Sequence, residues 1–73
     1  MTLDKVKPGQ KLEITSIINP QVRAQAIRFG IAEGAVAVCE QAIPSGPVVL
    51  RRNRQEIAIG RSLAREIGVK VLI

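Results

Sequence analysis

Residues 35–60 read AVAVCEQAIPSGPVVLRRNRQEIAIG, and this stretch decides the fold. Its extended apolar runs predict three strands, over residues 35–43, 48–52 and 55–60. The Pro-Ser-Gly-Pro sequence at residues 44–47 is the strongest turn signal of the chain. The Asn53-Arg54 pair fits a tight hairpin, because asparagine tolerates a positive φ. The stretch therefore predicts three consecutive antiparallel strands.

The residues before this stretch predict a strand followed by a helix. Residues 11–18 alternate between apolar and polar side chains, with Leu12 and Ile14 on the face expected to be buried. Asn19-Pro20 predicts the start of a helix, because asparagine caps the first N–H groups and proline suits the first helical position. The helix ends at Gly30. Its expected apolar stripe consists of Val22, Ala26 and Phe29, with Ile27 beside them.

Two further elements complete the predicted architecture. Residues 61–67 fit a short helix, and residues 69–73 a closing strand. Within the strand at residues 35–43, we expect Val36 and Val38 to face the core and Ala37 and Cys39 to face away. The chain is thus expected to be one mainly β domain over residues 1–73. It would be a five-stranded antiparallel barrel with one helix after the first strand and a short helix before the last.

Composition supports a β-rich fold in a reducing compartment. Valine and isoleucine make up 18 of the 73 residues, and these β-branched side chains favour extended backbone. The single cysteine, Cys39, cannot form an intramolecular disulfide. Residues 1–10 carry no apolar segment of the signal-peptide type, and the longest apolar stretch, residues 34–39, is too short to span a bilayer. We therefore expect a cytoplasmic protein without membrane insertion.

The residue types argue against catalysis and against a bound metal or cofactor. The chain has no histidine, so neither Cys39 nor any serine has the usual base for nucleophilic catalysis. Transition-metal sites need several imidazole or thiolate ligands, and the chain offers one thiol. We expect a protein that is not an enzyme and that holds no cofactor.

The net charge of +5 favours an acidic partner, a nucleic acid or a membrane surface. Three arginines surround the predicted hairpin, and Arg61 and Arg65 lie one helical turn apart. Small barrels that bind nucleic acid usually stack bases on aromatic side chains beside a basic groove. The only aromatic residue is Phe29, which the helical stripe assigns to the core. A barrel that binds nucleic acid is therefore the less favoured interpretation.

Several glycine motifs occur in a recognisable order along nearly the whole chain. They are Val6-x-Pro8-Gly9, Phe29-Gly30-Ile31-x-x-Gly34, Ser45-Gly46-Pro47-Val48 and Ile57-Ala58-Ile59-Gly60. In this order and at this length, the sequence resembles the FeoA family. The resemblance implies an SH3-like barrel that works with FeoB, the membrane transporter of ferrous iron, which has a cytosolic GTPase domain. It also implies a regulatory role through protein–protein contact.

Charge and expected exposure suggest which residues contact the partner. The candidates are Arg23, Arg28, Arg51, Arg52 and Arg54. Charge reversal at Arg51 and Arg52 is expected to weaken binding to an FeoB-like transporter. The apolar richness of the chain also leaves open a module that assembles with copies of itself.

Overall fold

The computed structural model describes residues 1–72 and contains the predicted elements in the predicted order. After a 3₁₀ turn at Leu3–Lys5 come β1 (Lys11–Ser16), α1 (Pro20–Arg28), β2 (Val36–Ala42), β3 (Val48–Arg52), β4 (Gln55–Ile59), α2 (Arg61–Ala64) and β5 (Gly68–Val71). The mainly β class with two helices is confirmed. Ile73, the last residue of the predicted closing strand, lies outside the described residues.

The five strands form one antiparallel sheet in the order β4-β3-β2-β1-β5. Arg52 pairs with Gln55, so Asn53 and Arg54 form the predicted two-residue turn, with Asn53 at φ 59°. Register shifts near Thr15 and Glu40 bend the sheet on itself, as β-bulges do.

The predicted five-stranded barrel is not closed by strand pairing, because β4 and β5, the two edge strands, are not paired. The N-terminal segment occupies the side of β5 that closure would use. Thr2 forms a bridge with Gly68, and the Leu3 N–H donates to the Ile67 carbonyl over 2.9 Å. The Val69 N–H donates to the Met1 carbonyl over 2.8 Å. The edge of β5 is thus covered by the chain itself.

The core lies on the concave face of this sheet and under α1. Leu12 and Ile14 are fully buried, as the alternation in β1 predicts. The largest fully buried side chains are Leu3, Leu12, Ile14, Ile17, Ile31, Leu50, Ile59 and Ile67. Burial of aliphatic side chains supplies most of the stabilisation in such a domain, at about 25 cal/mol per Å² of apolar surface.

The predicted orientation of β2 is wrong. Ala37 and Cys39 face the core, whereas Val36 and Val38 are each 38% exposed. Residues opposite each other on neighbouring strands share a face of the sheet. Ala37 pairs with the buried Leu12, and Cys39 pairs with the buried Leu50. The large leucines fill the space, so the small residues of β2 fit opposite them.

Helix α1 begins at the predicted cap and ends before a left-handed Gly30, as predicted. The Asn19 side chain accepts hydrogen bonds from the N–H groups of Gln21 and Val22, at 2.9 and 3.4 Å. At the other end, the Ile31 N–H donates to the Ala26 carbonyl over 2.9 Å, and Gly30 has φ 78°. Together with the bond from the Gly30 N–H to Ile27, this is a Schellman motif.

The Schellman motif corrects the assignment of Phe29 to the core. The left-handed Gly30 reverses the chain, so Ile31 packs inward and is fully buried. Phe29, two residues earlier, remains 44% exposed, and Ile27 is 58% exposed. Val22 and Ala26 are the buried residues of the helix, as predicted.

Candidate partner-binding site

Arg23, the first of the candidate arginines, anchors the connection between β1 and α1. Its Nη2 donates to the Ile17 carbonyl over 2.9 Å and lies 3.6 Å from a carboxylate oxygen of Glu33. The same carboxylate accepts from the Ile17 N–H over 3.1 Å. Arg23 is half-exposed, but its Nη2 group already has partners within the protein.

Arg51 lies on the outer face of the sheet between two carboxylates. It pairs with Glu40, and its Nη2 is 3.0 Å from Glu56 Oε2. The hydrogen bond from Arg51 holds the pKa of Glu40 below its ordinary value. The hydrogen bond and the charge of nearby Glu40 raise the pKa of Glu56. The carboxylates of Glu40 and Glu56 therefore largely balance the positive charge of Arg51.

The other three candidates, Arg28, Arg52 and Arg54, form no ion pair within residues 1–72. Arg28 is the last residue of α1, and Arg54 lies in the β3–β4 turn. The Nη1 atom of Arg52 lies 3.9 Å from the position that a Cβ on Gly30 would occupy. The structure thus brings Arg52 to the end of α1, close to Arg28.

Arg52 approaches Gly30, and Arg54 directly precedes Gln55 in the chain. Gly30, Gln55 and Arg28 all line a groove between the end of α1 and strand β4. Its walls are residues 27–30 on one side and residues 55–58 on the other, and its volume is about 500 Å³. The exposed side chains of Ile27 and Phe29 supply apolar surface. We take this groove, with Arg28, Arg52 and Arg54 around it, as the candidate site and call it the α1–β4 groove.

Sequence reasoning missed the exposed apolar wall of this groove. Ile27 and Phe29 were read as core residues because they fall near the helical stripe. The Gly30-Ile31 pair was the signal available, since a glycine after a helix followed by an apolar residue is typical of the Schellman motif. Ile18, which is 87% exposed beside a second groove of about 590 Å³, was likewise read as the end of a strand.

Arg61, the N-terminal residue of α2, has a structural role. Its guanidinium donates to the carbonyls of Gly46 and Ile43, over 2.8 and 2.9 Å, and also to the Asp4 carbonyl. It therefore connects the 3₁₀ turn, the β2–β3 loop and α2. The nucleic-acid alternative partly relied on the basic pair Arg61 and Arg65. Only Arg65 of this pair is exposed.

Cys39 is 1% exposed on the inner face of β2, and burial raises the pKa of its thiol, an effect that the charge of Arg61 partly offsets. The thiolate is the reactive form of cysteine. We expect iodoacetamide to leave Cys39 unmodified in the native protein at neutral pH and to modify it fully in urea, as followed by intact mass. Rapid modification without urea would show that β2 opens locally or that Cys39 faces solvent.

Two further observations concern the described residues as a whole. Between Met1 and Leu72, no three aspartate, glutamate or cysteine side chains gather into a group suited to a metal ion. None of the helices in this part of the chain has the length and apolar character needed to cross a membrane.

Comparison with known proteins identifies the fold and its relatives. The family model described as the FeoA domain matches residues 1–71. The crystal structure of an iron uptake regulatory protein (FeoA) is similar at 26% identity and a TM-score of 0.90, covering 99% of this chain and 97% of that one. A comparison with curated protein sequences gave no match.

Two solution structures agree with this result. The FeoA-like protein from Clostridium acetobutylicum is 25% identical, with a TM-score of 0.86 over 100% of this chain and 87% of that one. The FeoA protein from Chlorobium tepidum is 29% identical, with a TM-score of 0.83 over 100% of this chain and 71% of that one.

Proposed function

The chain belongs to the FeoA family, which is linked to ferrous iron transport, and from this premise we propose that it binds an FeoB-type transporter. In this proposal it is a non-enzymatic accessory protein in the cytoplasm. It regulates ferrous iron uptake by contact with the cytosolic part of the transporter.

The α1–β4 groove is the observation that carries the proposal. Protein interfaces combine a desolvated apolar centre, rich in aromatic side chains and arginine, with a polar rim. Phe29 and Ile27 supply the exposed apolar surface, and Arg28, Arg52 and Arg54 supply positive charge that has no ion-pair partner within residues 1–72. An acidic, partly apolar surface would complement this arrangement.

Calorimetric titration with the cytosolic domain of an FeoB-type transporter from the same source tests the proposal, with a duplex DNA of mixed sequence as the control ligand. We expect saturable heat with the cytosolic domain and none with DNA. Heat with DNA alone, falling steeply with added salt, would favour the nucleic-acid alternative. No heat with the cytosolic domain would contradict the proposed function.

Charge reversal at the groove gives a sharper form of the same test. Arg28→Glu is expected to lower the affinity for the cytosolic domain by about tenfold, because it places a negative charge beside an acidic partner. Arg65→Glu is the matched control, since it makes the same change of net charge at the C-cap of α2, outside the groove. Arg51→Glu is less informative, because it also breaks the ion pairs with Glu40 and Glu56. Equal loss in the Arg28 and Arg65 variants would mean that only net charge matters.

A further inference from the structure

The two edges of the sheet differ. On β5, the N-terminal segment covers the outer side at Gly68 and Val69, through the Thr2–Gly68 bridge and the hydrogen bonds of Leu3 and Val69. On β4, the backbone pairs with β3 alone among residues 1–72. An exposed strand edge is a template for pairing with another extended chain, and proteins usually block it.

The positions of the unpaired groups on β4 follow from the hairpin. With a two-residue turn, the flanking residues Arg52 and Gln55 form a hydrogen-bonded pair, and such pairs alternate along an antiparallel ladder. Glu56 and Ala58 are therefore the residues whose N–H and C=O groups point away from β3. Both residues are exposed.

The free edge of β4 is also one wall of the α1–β4 groove. A strand added to this edge would place alternate side chains in the groove, beside Ile57 of β4 and the exposed Phe29 of the opposite wall. The groove-facing side chains would also lie beside Arg28, which lines the groove, while the remaining side chains would lie on the outer face with Glu56 and Ala58. The groove thus offers main-chain hydrogen bonds, an apolar site and positive charge along one line.

We infer that the β4 edge captures an extended, acidic segment of the partner protein, which pairs with Glu56 and Ala58 and inserts apolar side chains into the α1–β4 groove. This is strand addition, in which main-chain hydrogen bonds supply affinity and alternate side chains supply specificity. The inference rests on the proposed function only in taking the segment to belong to a partner protein.

Charge favours a partner segment over a second copy of this chain. Pairing β4 with β4 of another copy would join two chains of net charge +5, each with Arg28, Arg52 and Arg54 near this edge. Like charges at an interface oppose association, and none of these three arginines has an ion-pair partner within residues 1–72 to offset that repulsion. An acidic segment removes this repulsion.

The first test follows the backbone amides of the ¹⁵N-labelled protein by NMR while a synthetic peptide is added in which threonine alternates with valine and glutamate, so that both can face the groove. We expect saturable shifts at Glu56 and Ala58 and at residues 27–30, and slower hydrogen exchange at the Glu56 and Ala58 amides. The same peptide with lysine in place of glutamate should cause neither. Absence of shifts at these amides with millimolar acidic peptide would overturn the inference. Shifts that depend on protein concentration alone would also overturn the inference, because they would show that a second copy of this chain pairs with the β4 edge.

Substitution of Ala58 separates main-chain pairing from side-chain contact. Ala58→Pro removes an outward N–H on an edge strand, where proline is tolerated, and should weaken peptide binding by about tenfold. Ala58→Val keeps the N–H and should bind as the parent does. Equal binding by the proline and valine variants would overturn the inference. If the proline variant does not fold, the same peptides are titrated into the Arg28→Glu and Arg65→Glu variants. Only the Arg28→Glu variant should reverse the preference for the acidic peptide.

The same variants distinguish failure of this inference from failure of the proposed function. Loss of binding to the transporter's cytosolic domain by Ala58→Pro, with retention by Ala58→Val, would support both. Equal binding of both variants to that domain would overturn strand addition and leave the proposed function intact. Peptide capture without any binding to the domain would support the edge as a capture site and contradict the proposed transporter partner.

Discussion

Ile31→Ala is expected to lower the free energy of unfolding by about 2–5 kcal/mol, because it leaves a cavity in the core under α1. Ile31 is fully buried and is held in place by the bond from its N–H to the Ala26 carbonyl. A domain of this size is stable by roughly 4–11 kcal/mol, so the loss would remove a large share of the total. Urea unfolding followed by far-UV circular dichroism measures it.

Phe29→Ala is the matched control for Ile31→Ala. The ring is 44% exposed, so its removal should cost about 1 kcal/mol or less. The same variant should weaken binding to the cytosolic domain of the transporter, because the ring is part of the groove wall. If Phe29→Ala proved more destabilising than Ile31→Ala, the Schellman ending of α1 would be wrong, and the core would close on the aromatic ring instead.

Arg61→Ala is expected to destabilise the protein by about 2–4 kcal/mol, because charged donors make stronger hydrogen bonds than neutral ones and three carbonyls would lose one. Those carbonyls belong to Asp4 in the 3₁₀ turn and to Ile43 and Gly46 in the β2–β3 loop. The guanidinium joins these two segments, so its loss should loosen the β2–β3 loop as well. Urea unfolding gives the stability change, and proteolysis of the loop reports the loosening.

Arg65→Ala serves as the control for Arg61→Ala. Arg65 lies one helical turn further along and is exposed, so its removal should change the free energy of unfolding by about 0.5 kcal/mol or less. Equal stabilities of the two variants would contradict the structural role of Arg61 and would indicate that its guanidinium is exposed to solvent. Arg61→Lys should recover only part of the loss, because an ammonium lacks the planar fork of donors.

The sequence predicted the elements whose signals are local. The cap formed by Asn19, the hairpin at Asn53 and the alternation of Leu12 and Ile14 each depend on a few neighbouring residues, and the structure confirms all three. The family resemblance was carried by glycines and apolar residues in a fixed order. Gly30 and Gly34 among them have φ values of 78° and 92°, which favour glycine.

The errors came from features that depend on long-range pairing. In β2, valines and smaller residues alternate, so only the pairing of Ala37 with Leu12 and of Cys39 with Leu50 decides which face is buried. The closure of the barrel depended on the N-terminal segment, whose bridge to Gly68 has no sequence signal. The groove wall was missed for a related reason, since helical spacing alone does not show which apolar side chains near the end of a helix the rest of the fold covers.

The candidate arginines also show what charge patterns leave undetermined. All five were chosen on charge and expected exposure, but Arg23 and Arg51 have ion-pair partners supplied by distant carboxylates. Glu33 and Glu40 reach them only in the folded chain. The choice of Arg28, Arg52 and Arg54 as partner contacts stays a prediction, and the charge-reversal variants test it.

Hydrogen exchange tests most directly whether the partner binds at the α1–β4 groove. It is measured by mass spectrometry on this protein alone and with a saturating amount of the transporter's cytosolic domain. We expect slower exchange at residues 55–58 on β4 and at residues 27–30 at the end of α1 when the domain is present. Exchange that stays unchanged in both segments would contradict this expectation, because a partner bound at the α1–β4 groove must cover these amides.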